Sequence, residues 1–418
     1  MPDLDRAALQ RKTLRVLVVG QIAGSASLAA AVTVGAFVIQ DILGKETPWL
    51  GIASATVTMG TAFMAQVLSR VMGHHGRRGG LQVGYALAII GGLIAGFGVE
   101  QRSLWIFLCG LFLFGNGQAA NLLSRYAATD LALPNERGAA MSKILFASTF
   151  GAVFGPILIT PAQYFGQQWF GWSKYTGPWI FAGLFLSLSF LNATFRLRPD
   201  PLEASGGLNS QAGVGVTRPR LSAIIGVIKD SPDARLALMA MVISQATMVA
   251  VMTMTPVHLK LHGHESISGY VISLHIAGMY AFSPLVGKFS DARGRLPTIT
   301  VGAVLLIMAT LMSALAGDKA SLLFPSLWLL GIGWSFGLIG GSSLLVDSVS
   351  GERRVQVQGT ADLLMSFFGG LAGFSSGFIR KSVGYSMLGN GAALLATLLL
   401  VVVLARQVDT RSTPTIAA

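Results

Sequence analysis

The sequence predicts an all-α membrane protein with twelve transmembrane helices in two pseudo-symmetric six-helix bundles. Three observations carry that reading. The chain is too apolar for water, its apolar runs have bilayer length, and its first half repeats in its second. Of 418 residues, 52% are hydrophobic and 11% charged, against about 25% charged in a soluble domain. A hydrocarbon core of about 30 Å takes roughly 20 apolar residues in a helix. Twelve such runs occur, with cores near 14–38, 48–70, 80–99, 103–123, 140–163, 177–195, 236–256, 266–286, 297–316, 321–345, 356–379 and 384–405. They are numbered as spans 1 to 12. The 51 glycines suit helices that approach closely in lipid.

The net charge of +12 raises the question of a nucleic-acid partner. Its distribution answers otherwise. With the N-terminus placed in the cytoplasm, 23 of the 30 Lys and Arg residues fall on the cytoplasmic side. Only Lys45, Arg102, Lys174, Lys260, Lys319, Arg380 and Lys381 fall on the other. This positive-inside bias places both termini in the cytoplasm, so the charge reports topology and no nucleic acid is expected. The first apolar run is longer than a signal-peptide core and has no clear cleavage site, so it reads as span 1. Cys109 is the lone cysteine, which excludes an intrachain disulfide.

The most polar long stretch, Arg196 to Arg235, separates six spans from six. It holds Arg198-Pro199-Asp200-Pro201, a Gly/Ser-rich run from Ser205 to Val216, and Thr217-Arg218-Pro219-Arg220, a loop composition. Leu221 to Lys229 reads as a short amphipathic helix on the membrane surface. The expected divisions are therefore a first bundle at 1–197, a cytoplasmic linker at 198–232, a second bundle at 233–407 and a cytoplasmic tail at 408–418. A shift of 218 carries Gly76-Arg77 onto Gly294-Arg295, Gly115 onto Gly333, and Gly151 and Gly155 onto Gly369 and Gly373. Asp130 meets Asp347 at 217, and Arg137 meets Arg353 at 216.

Between spans 8 and 9, Gly287-Lys288-Phe289-Ser290-Asp291-Ala292-Arg293-Gly294-Arg295 resembles the signature loop G-x-x-x-D-x-x-G-R of the major facilitator superfamily. That resemblance implies the major facilitator fold and a secondary transporter with its substrate near the midplane between the halves. The loop after span 2 keeps Gly76-Arg77-Arg78, but Ser69 and Gly73 stand where Gly and Asp are usual. Physically, Asp291 is placed to accept hydrogen bonds from a helix N-terminus while Arg295 adds a charge pair. Such a contact would act as a cytoplasmic latch with Gly287, Gly294 and Arg353; a solvated turn is the plainer alternative. In span 5, Gly151-x-x-x-Gly155-Pro156 resembles the antiporter motif of proton-coupled exporters, though Ile159-Thr160 replaces the usual Gly-Gly. The span 4 position that carries Arg in drug exporters is Leu111. The same glycine spacing also serves simple close packing.

Polar residues inside a bilayer need a reason, and the richest group lies in spans 7 and 8. Met248, Met252, Met254 and His258 are followed by His262 and His264 in the outer loop, then by His275 and Met279. Met248 with Met252, and His275 with Met279, stand at i, i+4, on one helical face each. Thioether and imidazole donors without carboxylates suit a soft ion such as Cu(I). His258, His262, His264 and Met254 would form its outer approach. Met also fills membrane cores as a flexible apolar side chain, and outer histidines are commonly plain surface residues. The repeat supplies a control: Met248, Met252, His275 and Met279 fall on Ala30, Val34, Val57 and Thr61, so the scaffold does not require the donors.

The M-x-x-x-M and H-x-x-x-M pair is similar to the pattern of the CcoA-like copper importers, a bacterial major facilitator family. That resemblance implies Met248, Met252, His275 and Met279 as ligands for transported Cu(I). Relatives of similar sequence move riboflavin or other organic solutes, so a vitamin importer or a drug/proton antiporter is the alternative. No P-loop or catalytic constellation stands out, and neither an enzyme nor a permanently bound cofactor is expected. Lys143 and Asp362, 219 apart, read as cytoplasmic gate residues, with proton coupling a further role for Asp362. The expected setting is the bacterial inner membrane, with the lipid bilayer and a small solute or metal ion as partners and a monomeric protein.

Overall fold

The computed structural model describes residues 3–43, 52–208, 221–264, 267–349 and 353–412. Lys45, the linker from 209 to 220, which includes Thr217-Arg218-Pro219-Arg220, and the tail from 413 lie outside them. The described residues are helical almost throughout. In order the helices are α1 (Asp3–Leu43), α2 (Ile52–Glu100), α3 (Leu104–Ala127), α4 (Arg137–Ile157), α5 (Ile159–Phe170) and α6 (Thr176–Arg196). A short α7 (Pro201–Ala204) and α8 (Leu221–Asp230) belong to the linker. Then follow α9 (Pro232–Leu261), α10 (Ser268–Tyr280), α11 (Ser283–Arg293), α12 (Arg295–Ala314), α13 (Ala320–Ser348), α14 (Arg354–Val383) and α15 (Tyr385–Ser412).

Nine helices among the described residues are long and apolar enough to cross a membrane. One of them, α2, is two spans joined at Gly76, whose φ of 79° and ψ of 172° are not helical. α1 supplies span 1, and α4 with α5, interrupted only at Leu158, supplies span 5. With these the twelve-span order is present. Span 8 is also broken, at Ala281 and Phe282 between α10 and α11.

Packing divides the chain into two compact units. The first comprises 1–225 with 349–367, the second 226–348 with 368–418. In the first, α1 packs on α4 and α6, and α2 on α3 and α6. In the second, α12 packs on α13 and α15, α9 on α13 and α15, and α10 on α13. The opening turns of α14, from the second half of the sequence, belong to the first unit.

Small residues let these helices touch through their backbones, as lipid-embedded packing requires. A side chain on Gly60 would meet the carbonyl of Phe112, and one on Gly115 would meet Val57 O and Thr61 N. The second unit repeats the crossing: Gly278 lies against Trp328 O, and Gly331 against His275 O and Met279 N. His275 and Met279 are thus the spatial counterparts of Val57 and Thr61. The contacts pair Gly115 with Gly331, not with Gly333, which lies against Leu306 as Gly117 lies against its counterpart Ala88. The repeat therefore slips by two residues between span 2 and span 4, which the conserved glycine spacing concealed.

Candidate functional site

Both Gly-Arg turns place a guanidinium beside an aspartate that follows or ends a span. Gly76 and Gly294 have φ of 79° and 93° with ψ near 170°, a region open essentially to glycine alone. In the first unit Arg77 Nε and Nη2 donate to Asp130 at 2.8 and 3.1 Å, and both side chains are fully buried. Arg77 Nη2 also donates to Gln358 Oε1 at 3.0 Å. In the second unit Arg295 donates to Asp347 at 2.9 Å and to Asp291 at 2.6 Å. A fork-shaped guanidinium suits such two-point contacts.

Where Gly73 leaves the first turn without its acid, another carboxylate stands over the turn. Asp200 accepts the Arg78 backbone N–H at 2.7 Å and caps α7 through Leu202 N at 2.9 Å. A side chain on Gly76 would lie 2.5 Å from Asp200 Oδ2.

A second buried pair lies in the same unit. Arg125, near the end of α3, donates through Nη1 and Nη2 to the two oxygens of Asp362, the Nη1 bond being 3.2 Å long. Both side chains are buried, and Arg125 Nη2 also reaches Tyr126 Oη at 3.1 Å. Asp362 stands eight residues inside α14, about 12 Å along its axis. Nearby, Thr360 Oγ1 donates to Gln66 Oε1 at 2.7 Å. Deeper in the unit, neutral groups form a separate network. Gln21 Nε2 donates to Ser148 Oγ at 2.9 Å, Ser124 Oγ to Gln21 Oε1 at 3.0 Å, and Tyr85 Oη to Asn121 Oδ1 at 3.0 Å. Asn121 Nδ2 is buried without a partner.

In the second unit His275 is fully buried. Its Nδ1 lies 2.8 Å from Leu327 O on α13 and must carry the proton to make that bond. The lone pair therefore sits on Nε2, which is buried without a hydrogen-bond partner. Met248 and Met279 are buried and Met252 half-buried. His258 stacks on Tyr385 at 4.2 Å and holds Gly317 O at 2.9 Å. His262 Nε2 lies 3.2 Å from Asp318. These two histidines tie the end of α9 to the loop after α12; Met254 and His264 are half-buried beside them. No group of three or more His, Cys, Asp or Glu gathers as a metal site among the described residues.

The other candidate positions are spread more widely. Lys143 and Arg353 are exposed, whereas Asp362 is buried. Gly287 is buried in α11. Gly151 faces Ser25 and Ala26, so that α4 touches α1 through backbone, and Gly155 is buried. α4 ends one residue after Pro156.

Residues 16–374, and again 238–416, match the sequence profile described as Major Facilitator Superfamily. The chain belongs to the major facilitator superfamily. It is a multi-pass membrane transporter, of a family that carries small solutes across the lipid bilayer and generally needs no bound cofactor. It is 36% identical over 406 residues to YddS, an uncharacterised MFS-type transporter of Bacillus subtilis (strain 168), covering 95% of this chain and 91% of the relative. It is 28% identical over 386 residues to the riboflavin transporter RfnT of Brucella anthropi, covering 91% and 92%. Its fold is that of the facilitator FucP in the outward conformation, with a TM-score of 0.74 at 14% identity over 94% of this chain and 98% of that structure.

Within this facilitator, Arg125, Gln358 and Asp200 are the residues that sequence reasoning passed over. Arg125 reads only as a cytoplasmic charge, because a positive-inside census cannot distinguish a buried cation from a solvated one. Asp200 sits between two prolines in a loop-like composition. The signal available for Arg125 was its place at the very end of an apolar run, opposite a carboxylate within span 11.

Proposed function

We propose that this facilitator carries an organic solute by alternating access, in a bacterial inner membrane with both termini cytoplasmic. Its similarity along nearly the whole chain to a riboflavin transporter is the observation that carries the organic cargo. The neutral amide and hydroxyl network of Gln21, Tyr85, Asn121, Ser124 and Ser148 supports it, because the free N–H of Asn121 offers a donor to an uncharged heterocycle. The Arg125–Asp362 pair serves as a cytoplasmic gate, joining span 4 to span 11 in the closed arrangement. The Asp291–Arg295–Asp347 cluster is the corresponding latch in the second half.

Import of Cu(I) is the second reading, favoured by one specific observation. A metal-binding histidine commonly donates its other ring N–H to a backbone carbonyl. His275 does so toward Leu327 while its Nε2 stays open. Met248, Met252 and Met279 would then supply thioethers to the cargo.

Uptake of radiolabelled riboflavin and of radioactive copper by cells expressing the wild type, Asn121→Ala and His275→Ala separates the two. The organic reading expects riboflavin uptake that falls in Asn121→Ala and persists in His275→Ala. Copper uptake abolished by His275→Ala, with no riboflavin uptake in the wild type, overturns it in favour of the metal.

A further inference from the structure

The first unit holds a cation-lined cavity that continues into an apolar groove, both between α1 and α6. The cavity, of about 410 Å³, is lined by Arg11, Lys12, Arg15 and Arg196 together with Val16 and Phe195. Lys12 Nζ donates to Arg198 O at 2.7 Å. Arg11, Arg15 and Arg196 are exposed, and no carboxylate among the described residues pairs with them. The groove, of about 630 Å³, shares Phe195 and Arg196 with the cavity and runs on past Val19, Leu158, Leu188 and Leu191. Its floor is pinned by Ser189 Oγ donating to Gly20 O at 2.9 Å and Asn192 Nδ2 donating to Val16 O at 2.8 Å.

The internal repeat shows that the fold does not demand this charge. A shift of 218 carries Arg11, Lys12 and Arg15 onto Lys229, Asp230 and Asp233. Asp233 is engaged by Arg406 at 2.8 Å. The second half thus balances its charge at the matching position, whereas the first gathers unpaired guanidinium groups at the mouth of an apolar groove.

We propose that this feature is a binding site for an anionic phospholipid. The headgroup phosphate is held by Arg11, Arg15 and Arg196, and one acyl chain lies in the groove between α1 and α6. Guanidinium forks match phosphate oxygens in pairs, and basic pockets between transmembrane helices take anionic headgroups. The two parts match the two chemistries of one lipid. A bound lipid clamps the start of span 1 to the end of span 6, where the linker departs.

The test uses the purified full chain in detergent, with lipid retention followed by native mass spectrometry. Wild type retains phosphatidylglycerol in preference to phosphatidylcholine. A basic residue at an anionic lipid surface contributes a factor of about five, so Arg11→Gln/Arg15→Gln/Arg196→Gln weakens phosphatidylglycerol retention on the order of 100-fold. Arg196→Gln alone weakens it about fivefold, keeping the test valid should the triple variant fold poorly. Ala23→Trp fills the groove without touching the cations and also lowers retention. Equal retention of the two lipids, or full phosphatidylglycerol retention by the Arg variants, overturns the proposal. Full retention by Ala23→Trp, or displacement by millimolar inorganic phosphate, also overturns it and leaves an anion site without a lipid tail.

Discussion

Removing the charge of Asp362 tests whether the Arg125 pair holds a gate. Asp362→Asn keeps the side-chain volume but takes its carboxylate away from the buried Arg125 cation. Stranding one partner of a buried pair costs about 3–5 kcal/mol. If the pair is made only in the closed arrangement, that cost falls on the closed state alone. The population then moves toward the open state by about 100- to 5,000-fold. Ser69 reports the change: it is fully buried on α2 and faces Gly359 of α14. In a Cys109→Ser background, Ser69→Cys should be nearly inert to a thiol reagent and become reactive once Asp362→Asn is added, while solute uptake falls. Arg125→Met with Asp362→Leu removes both charges and should return the labelling toward the wild-type level, which separates gate opening from unfolding. Unchanged reactivity together with normal uptake in Asp362→Asn would refute the gate.

The repeat turns further predictions into paired comparisons. Gly76→Ala and Gly294→Ala both enter a glycine-only region, at about 1–3 kcal/mol each. Gly76→Ala should lower the melting temperature more, because its new Cβ also meets Asp200, whereas the nearest atom at Gly294 is Pro297 Cδ at 3.8 Å. Arg77→Gln should destabilise the protein by about 3–5 kcal/mol. Arg295→Gln, whose partners Asp291 and Asp347 are 10% and 30% exposed, should cost less than Arg77→Gln in the same melting assay. Asp200→Ala removes the bonds to Leu202 N and Arg78 N and should cost about 1–3 kcal/mol. Limited proteolysis checks it, through faster cleavage near 198–207.

Much of the scaffold was legible because bilayer solvation leaves few options. Helix length, loop charge and the Gly-Arg turns each follow from a requirement that lipid or backbone geometry imposes, and all three can be read from spacing. Electrostatic pairing is less legible. Arg77–Asp130 and Arg295–Asp347 could be anticipated from their nearly equal offsets, but Arg125–Asp362 could not, since it joins spans with no shared register. The offset that matched Lys143 to Asp362 also misled, since one is exposed and the other buried. Repeat equivalence transmits backbone position and not environment.

That difference explains where chemistry can reside. At the crossing built from Gly60 and Gly115, the first half presents Val57 and Thr61; at the matching crossing the second half presents His275 and Met279. The packing constraint is the same, so the replacement is not needed to bring the helices together. Arg125 follows the same logic. The slip of two residues found in span 4 places it over Gly341, where no cation stands and any side chain would run into Ala237 O. The fold thus holds the backbone alike at both positions and leaves the side chains to differ between the halves. Restoring symmetry is therefore a sharper perturbation than deleting a charge. His275→Val with Met279→Thr copies the first-half crossing without changing the packing requirement. It should still fold, at the cost of the His275–Leu327 bond, and a loss of cargo binding beyond that of an equally destabilised control belongs to the two side chains.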